Sequence, residues 1–374
     1  GLSLVGSEMC IRDRGKYVVD GKISVLVDFD HMPTEEDEQL LIDEVGFEPS
    51  WRFHHIPIIS GTIETHLLDE LLEVEGVVFL TLNGELHIQL ENAIDVHNVD
   101  TVWDFGFTGE GISIAIIDTG IDPLHVGLND MDDDPLTNDP KVVAFYDALD
   151  GSGDDGSGQT EAYDDQGHGS HCAGIAAGTG AIDEGPTSDG STPYRGVAPD
   201  AWLVGVKVLD GSGSGSFEEV MRGMEWTIDN KIKYNIRAAS MSLGGPWLYD
   251  LTQEQEERIT QLANEMVAAG IALMIAAGND GAYGTIGTPG AAKDVITVGA
   301  TDDNKDLAPY SSKGPTYEGQ ITPNVAAIGS SVNSVLANTG NGYDEFSGTS
   351  MATPMVAGMA ALLLQANPDL QPLM

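Results

Sequence analysis

Residues 112–118 read I-S-I-A-I-I-D, a run that is apolar or small on both faces of an extended chain and ends on an acid. Working outward, similar runs return as W-L-V-G-V-K-V-L (202–209), A-A-S-M-S-L (238–243), I-A-L-M-I-A-A-G (271–278) and V-I-T-V-G-A (295–300). Between and after them lie helical patterns over residues 169–178, 216–231, 252–269 and 349–366. Strands apolar on both faces and separated by helices signal an open, mostly parallel sheet with helices on both faces, an α/β fold. Ligands of such sheets bind beyond the carboxyl ends of the strands. The polar residues that close these runs are therefore the ones to inspect: Asp118, Ser242 and Asn279.

The preceding region has a different character. Residues 22–29, K-I-S-V-L-V-D-F, alternate as a strand, and Pro33 and Thr34 open an acidic helix reaching Val45. R-F-H-H-I-P-I-I-S (52–60) is extended, residues 64–73 read as a short helix, and G-V-V-F-L-T-L (76–82) as a strand. This β-α-β-α-β order predicts a small ferredoxin-like α+β unit over residues 15–92, with a linker at 91–100 and the α/β domain over 93–374. Residues 1–14 are unlike the rest of the chain. Their S-E-M-C-I-R-D-R resembles the peptide encoded by a sequencing adapter, so they are set aside from the fold.

The chain of 374 residues is 41% hydrophobic, and no uninterrupted apolar stretch reaches the roughly eighteen residues of a membrane span, so it reads as soluble. Sixty acidic against 16 basic residues give a net charge of -44, which makes nucleic acid a poor partner and suits solubility in salt. Acidic, Gly-rich insertions at 130–165 and 183–189 read as surface loops. Cys10 and Cys172 alone imply no disulfide framework, and no secretory signal is visible.

Ser350 lies in G-T-S-M-A-T-P (348–354), between a Gly-containing turn and an apolar helix. That position suits either a nucleophile beside backbone N–H donors or an ordinary helix cap, and the heptapeptide alone leaves the two readings level. Company decides between them. His168, in D-D-Q-G-H-G-S-H-C-A-G (164–174), stands between glycines at a loop-to-helix junction and is the candidate base. His171, three residues on, is expected to pack. Asp118, in I-A-I-I-D-T-G-I-D (114–122), can orient an imidazole, whereas Asp122 follows the turn and is assigned a structural role. Asn279 in A-A-G-N-D (276–280) offers an amide donor for an oxyanion, or simply a turn residue.

Asp, then His, then Ser is the subtilisin order. From Asp118 to Pro368 the chain resembles the subtilase family, the serine peptidases of family S8. The segments that carry the resemblance are I-I-D-T-G-I-D, G-H-G-S-H-C-A-G, G-V-A-P-D-A, V-K-V-L-D, S-M-S-L-G-G, A-A-G-N-D, V-I-T-V-G-A, Y-S-S-K-G-P and G-T-S-M-A-T-P.

The resemblance implies a serine endopeptidase with Asp118, His168 and Ser350 as triad and Asn279 in the oxyanion hole. It also implies an N-terminal unit that serves as inhibitory propeptide, with self-processing between about His87 and Asp95. Substrate would lie as an added strand between Gly213-Ser214-Gly215 and Ser242-Leu243-Gly244. The first pocket would be walled by Ala276, Ala277, Gly278 and Gly287, with Asp280 near its mouth, and Phe217 would belong to the pocket three residues upstream. Broad specificity with a large residue at the cleaved position follows from the small walls. Secretion, a monomeric state and structural calcium complete what the resemblance implies. For calcium the acidic stretches 130–134 and 150–155 are the candidates, although no D-x-D-x-D-G loop names the ligands. Met355 stands where the family usually has histidine, Ala326-Ala327-Ile328-Gly329 departs from the usual turn, and the chain stops at Met374, where the family continues. Cys172 is expected to be a buried free thiol. A binding pseudoenzyme with the same cleft is the alternative, distinguished by loss of one of the four residues, all of which are present.

Overall fold

A computed structural model describes residues 18–19, 21–83, 85–88, 99–132, 137, 139–151, 161–181, 194–245 and 258–372. The adapter-like segment, most of the linker, residues 89–95 of the processing segment, the loop at 183–189, and residues 133–134 and 152–155 of the acidic stretches lie outside them.

The N-terminal unit contains β1 (Val18–Val19), β2 (Lys22–Phe29), α1 (Glu35–Val45), β3 (Glu48–Arg52), β4 (Ile58–Glu64), α2 (Leu68–Leu71) and β5 (Val77–Leu82). Its antiparallel sheet has the order β5-β2-β4-β3, with β1 paired to β2. Apart from the two-residue β1, this is β-α-β-β-α-β, one strand more than the sequence pattern suggests. The extended stretch 52–60 divides because Pro57 has no N–H to give a ladder, while Phe53 and Ile56 turn inward as core residues. The expected helix over 64–73 is a 3₁₀ turn, Thr65–Leu67, running into the short α2. Thr34 and Asp37 form a reciprocal capping box that starts α1, and Gly46 ends it in the left-handed conformation.

Alternate residues of β2, Ile23, Val25, Val27 and Phe29, pack with Leu41 and Val45 of α1 and with Leu71 of α2. From the sheet's other face, Leu26 and Ile58 join Val220, Met221, Met224, Ile259 and Leu262, which belong to the second region. The small sheet therefore borrows half of its cover.

The N-terminal unit runs on through β6 (Glu85–Ile88), and the second region then has α3 (Asp100–Trp103), β7 (Ser113–Asp118), β8 (Val142–Asp147), α4 (His168–Ala177), β9 (Trp202–Lys207), β10 (Ser214–Ser216), α5 (Phe217–Asn230), β11 (Ile236–Met241) and β12 (Leu243–Gly244). It closes with α6 (Arg258–Ala268), β13 (Ala272–Ala276), β14 (Ile296–Thr301), β15 (Val325–Ile328), β16 (Val332–Val335), β17 (Tyr343–Phe346) and α7 (Thr349–Ala366). Seven strands form the expected parallel sheet in the order β15-β14-β13-β11-β7-β9-β8.

In β7, Ile114 and Ile116 face the cluster that contains α4 and α7, and Ala115 and Ile117 face the one that contains α5 and α6. Both sheet faces are thus dry, which is why these strands read as continuous apolar runs. The chain leaves β7 toward β8 and β9, then crosses to build β11 to β15 on the other side, so a topological switch point falls at β7.

Helix α7 corrects the expectation about apolar length. It has 18 residues and a mean hydropathy of 1.3, long and apolar enough by length and composition to cross a membrane. Instead it is the central core helix, packed against β11, β13, β14 and α4.

Candidate active site

Asp118 ends β7 fully buried, and its Oδ1 accepts the N–H of Thr119 at 2.8 Å and Nδ1–H of His168 at 2.7 Å. His168 is the first residue of α4. Gly167 before it adopts φ +104°, and a Cβ on Gly169 after it would lie 2.2 Å from the carbonyl oxygen of Gly120. The two flanking glycines thus permit the turn and the close approach of helix to strand end. Burial alone would pull the imidazole pKa down, but the carboxylate of Asp118 outweighs it and holds His168 well above its ordinary value. Nε2 on the other side of the ring is buried and has no hydrogen-bond partner.

Ser350 is the second residue of α7, and its Oγ donates to the carbonyl oxygen of Ser242 at 3.2 Å. Ser242 Oγ in turn donates to the carbonyl oxygen of Ser350 at 2.7 Å, which ties the end of β11 to the start of α7. Cys172 lies between the two helices, Sγ 3.9 Å from His168 Nδ1 and 3.5 Å from the Ser350 carbonyl oxygen. It is a free, buried thiol whose pKa is pushed up by burial.

The orientation of Asn279 follows from its oxygen. Oδ1 accepts both the N–H and the Oγ1–H of Thr349, at 2.9 and 3.0 Å, and Thr349 Oγ1 accepts the N–H of Gly278 at 3.2 Å. With the oxygen so engaged, Nδ2 is left buried without an acceptor, the condition of a donor waiting for a negative oxygen. Sequence alone does not mark Thr349, whose one visible sign is its place at the helix start.

The competing residues are otherwise engaged. The Asp122 carboxylate accepts the N–H groups of Leu124 and Asn338 at 3.0 and 2.8 Å. His171 stacks on Phe346 with ring centroids 4.2 Å apart, donates to the Asp344 carbonyl oxygen, and is kept neutral by burial, its pKa pushed down to about 3.

The two edge segments flank a strand of the chain itself. β6 lies between β10 and β12, antiparallel to both: Ser214 pairs with His87, Gly215 with Leu86, Leu243 with Ile88 and Gly244 with His87. Gly213, at φ +79°, forms the turn into β10. Gly245 and Thr288 exchange two backbone hydrogen bonds of 3.0 Å, which bring Gly287 beside β12. Ala276 and Ala277 are buried at the end of β13, with Ala277 against Ile286, and Asp280 is exposed beyond Gly278 and Asn279. Phe217 is buried among Val208, Leu209 and Val220 at the start of α5.

The N-terminal unit docks through residues that the motifs did not single out. Glu225 of α5 is buried and accepts the N–H groups of His54 and His55 and the indole N–H of Trp51. Asp28, fully buried in β2, pairs with Arg258 at the start of α6, and burial, opposed by that guanidinium, raises its pKa to about 6. Carboxylate oxygens of Asp130, Asp132 and Asp139 lie within 4.8 Å of one another, and Oδ1 of Asp139 is buried without a partner. Three hard oxygen donors, one unsatisfied, suit a cation such as calcium.

The profile of the Subtilase family matches residues 109–374. Serine protease AprX of Bacillus subtilis (strain 168) is 36% identical over 386 residues, covering 94% of this chain and 80% of that protein. Subtilisin E of the same organism is 31% identical over 338 residues, covering 88% and 76%. Among solved structures, a cold adapted subtilisin-like serine proteinase superimposes with a TM-score of 0.56 at 32% identity, covering 71% of this chain and 80% of that one.

Proposed function

The chain belongs to the subtilase family, serine endopeptidases that act on polypeptides, and we propose that Ser350 is its nucleophile, His168 its general base, Asp118 the orienting acid and Asn279 an oxyanion donor. The observation that carries this assignment is the 2.7 Å hydrogen bond from His168 to Asp118, which leaves the buried Nε2 without a partner. An imidazole held by Nδ1–H presents a basic Nε2, the atom that must take the serine proton. Ser350 Oγ must turn from the Ser242 carbonyl oxygen toward Nε2 as substrate enters, an ordinary change of rotamer. Its attack on the peptide carbonyl places negative charge on the carbonyl oxygen, which Asn279 Nδ2 and the N–H of Ser350 receive. His168 then returns the proton to the leaving amine, and water repeats the sequence on the acyl-enzyme. Because the neutral imidazole is the working form and Asp118 raises its pKa, activity is lost as pH falls through that raised value.

Residues 15–92 are proposed as an inhibitory propeptide and 93–374 as the catalytic domain. The support is β6, which occupies the place of a substrate strand between β10 and β12, and the docking of the small sheet on α5 and α6. Cleavage by the chain itself between about His87 and Asp95 would release it. The remaining edge residues, Gly213 to Gly215 and Ser242 to Gly244, would then bind substrate through their backbone. Ala276, Ala277, Gly278 and Gly287 would wall the first pocket, and Phe217 would line the one three residues upstream. Secretion as a monomer and structural calcium, with Asp130, Asp132 and Asp139 as ligands, belong to the same proposal.

A fluorophosphonate probe tests the assignment. Labelling of the folded protein, abolished by Ser350→Ala, is expected; a folded protein that takes no label overturns it.

A further inference from the structure

We propose that Asp164 is a positioning residue for the catalytic pair, a carboxylate clamp that sets His168 and Asp118 in hydrogen-bonding register. The proposal rests on the assignment of that pair above.

Helix α4 begins on His168 without a side-chain cap from its N-cap residue, Gly167. The N–H of His168 itself goes to Gln166 Oε1 at 2.8 Å, while the N–H groups of Gln166, Gly167 and Ser170 around it converge on Asp164. Its Oδ1 accepts from Gln166 N at 3.1 Å and Gly167 N at 2.8 Å, and its Oδ2 accepts from Ser170 N at 2.9 Å and Ser170 Oγ at 2.7 Å. A fifth donor comes from the strand side: Thr119 Oγ1, at 3.0 Å from Oδ1. Thr119 follows Asp118, donates its own N–H to the Asp118 carboxylate, and accepts the N–H of Gly169 on Oγ1 at 2.8 Å.

The path is closed. It runs from Asp118 through Thr119 and Asp164 into the first turn of α4, and back through His168 to Asp118. Asp164 is itself buried, its carbonyl oxygen accepts Asn338 Nδ2 at 2.9 Å, and its backbone is bridged to Gly120. The neighbouring Asp165 meets Lys207, whose buried ammonium also donates to the carbonyl oxygen of Thr119 at 2.6 Å, so the same threonine is held from its other side.

Only a carboxylate fits this place. Donors approach both oxygens, so an amide of the same shape must turn an NH₂ against one set of them. The negative charge also sits at the positive end of α4. No salt bridge reaches Asp164 among the described residues, so its partners are these oriented dipoles. The titratable groups that face His168 are Asp118 from β7, and Cys172 and His171 from α4; Ser350, from α7, is uncharged.

The test compares the whole chain with Asp164→Asn and Thr119→Val. Loosening the register is expected to lower kcat on a peptide substrate by about 10²-fold for Asp164→Asn and by a smaller factor for Thr119→Val. KM should stay within about twofold, because the edge strands are untouched. The His168 titration, followed by NMR of the imidazole, should move to lower pH in both variants as the hold of Asp118 weakens. Thr119→Val cuts the same link near Asp118 and keeps the test decisive if Asp164→Asn does not fold. Parental kcat and parental His168 titration in a folded variant overturn the proposal, even with a lowered melting temperature. A shifted titration in a protein that neither hydrolyses peptide nor takes a fluorophosphonate leaves the clamp standing and sinks the catalytic assignment instead.

Discussion

Strands β2 and β7 lie inside the two large sheets, and both are buried on two faces, yet different things cover them. β7 is flanked by helices of its own region, α4 and α7 on one face and α5 and α6 on the other. β2 has its own helices on one face only, and Leu26 on the other packs into the cluster that α5 and α6 supply. A unit of the size of residues 18–88 buries a smaller share of its surface than a large domain does, so a borrowed face matters more to it. The difference also separates two kinds of polar residue. Around β7 they converge at strand ends, at the proposed catalytic site. Around β2 they sit at the seam, where Asp28 and Glu225 tie one region to the other.

The most severe test of this division removes chemistry without touching either sheet. Ser350→Ala is expected to lower peptidase kcat by about 10⁶-fold, a scale that comes from subtilisin itself, with an unchanged melting profile in scanning calorimetry. Asn279→Ala follows at roughly 10²- to 10³-fold, from the same source. A large loss of stability in either variant would mean that the site is also a structural keystone.

Next in size is the seam. Glu225→Ala strands the donors of Trp51, His54 and His55, at a cost of about 3 kcal/mol. In a Ser350→Ala background, hydrogen exchange should speed up in β2 and β6 and stay slow in β7. Equal loosening of all three strands would show that the regions are not separable.

The seam should also respond to pH, in a window below the one in which His168, its pKa raised by Asp118 at the end of β7, changes charge. Asp28 has a folded pKa raised from 3.8 to about 6. A raised carboxyl favours the folded state at low pH, and that contribution fades as pH climbs from the unfolded value through about 6. The size is on the order of 2 to 3 kcal/mol. Protection of β2 against exchange should fall across this window, and Asp28→Asn should flatten the dependence.

The smallest effects come from matched caps. Thr34→Ala removes the capping box of α1 and Ser216→Ala that of α5, each at about 1 kcal/mol in urea denaturation. The first should loosen only the small unit. The second should also disturb the cleft, because Ser216 lies in β10 opposite Glu85.

Much of the fold was legible because burial on both faces leaves an unmistakable composition. The run 112–118 became β7, and 295–300 spans most of β14. Beyond the two-residue β1, the small unit was read one strand short, since periodicity across residues 52–60 does not reveal that Phe53 and Ile56 fold into a core between two strands. At the site, glycine-flanked His168 and strand-ending Asp118 announced themselves. Asp164 and Thr349 did not, because an acid or a threonine near a helix start is commonplace until the donors aimed at it are known.

Local patterning was enough for the parallel α/β sheet, the family, and the residues that stand at the ends of β7, β11 and β13, because apolar runs and short motifs are properties of neighbouring residues in the chain. Packing across the whole molecule decided the rest: that the oxygen of the Asn279 amide is taken by Thr349 and its nitrogen left buried without a partner, that β6 lies between β10 and β12, and that Asp164 gathers donors at the start of α4. Each of these depends on a hydrogen bond or strand pairing between segments distant in the chain, and such pairings are chosen by how the sheets and helices pack, not by the residues' neighbours in sequence.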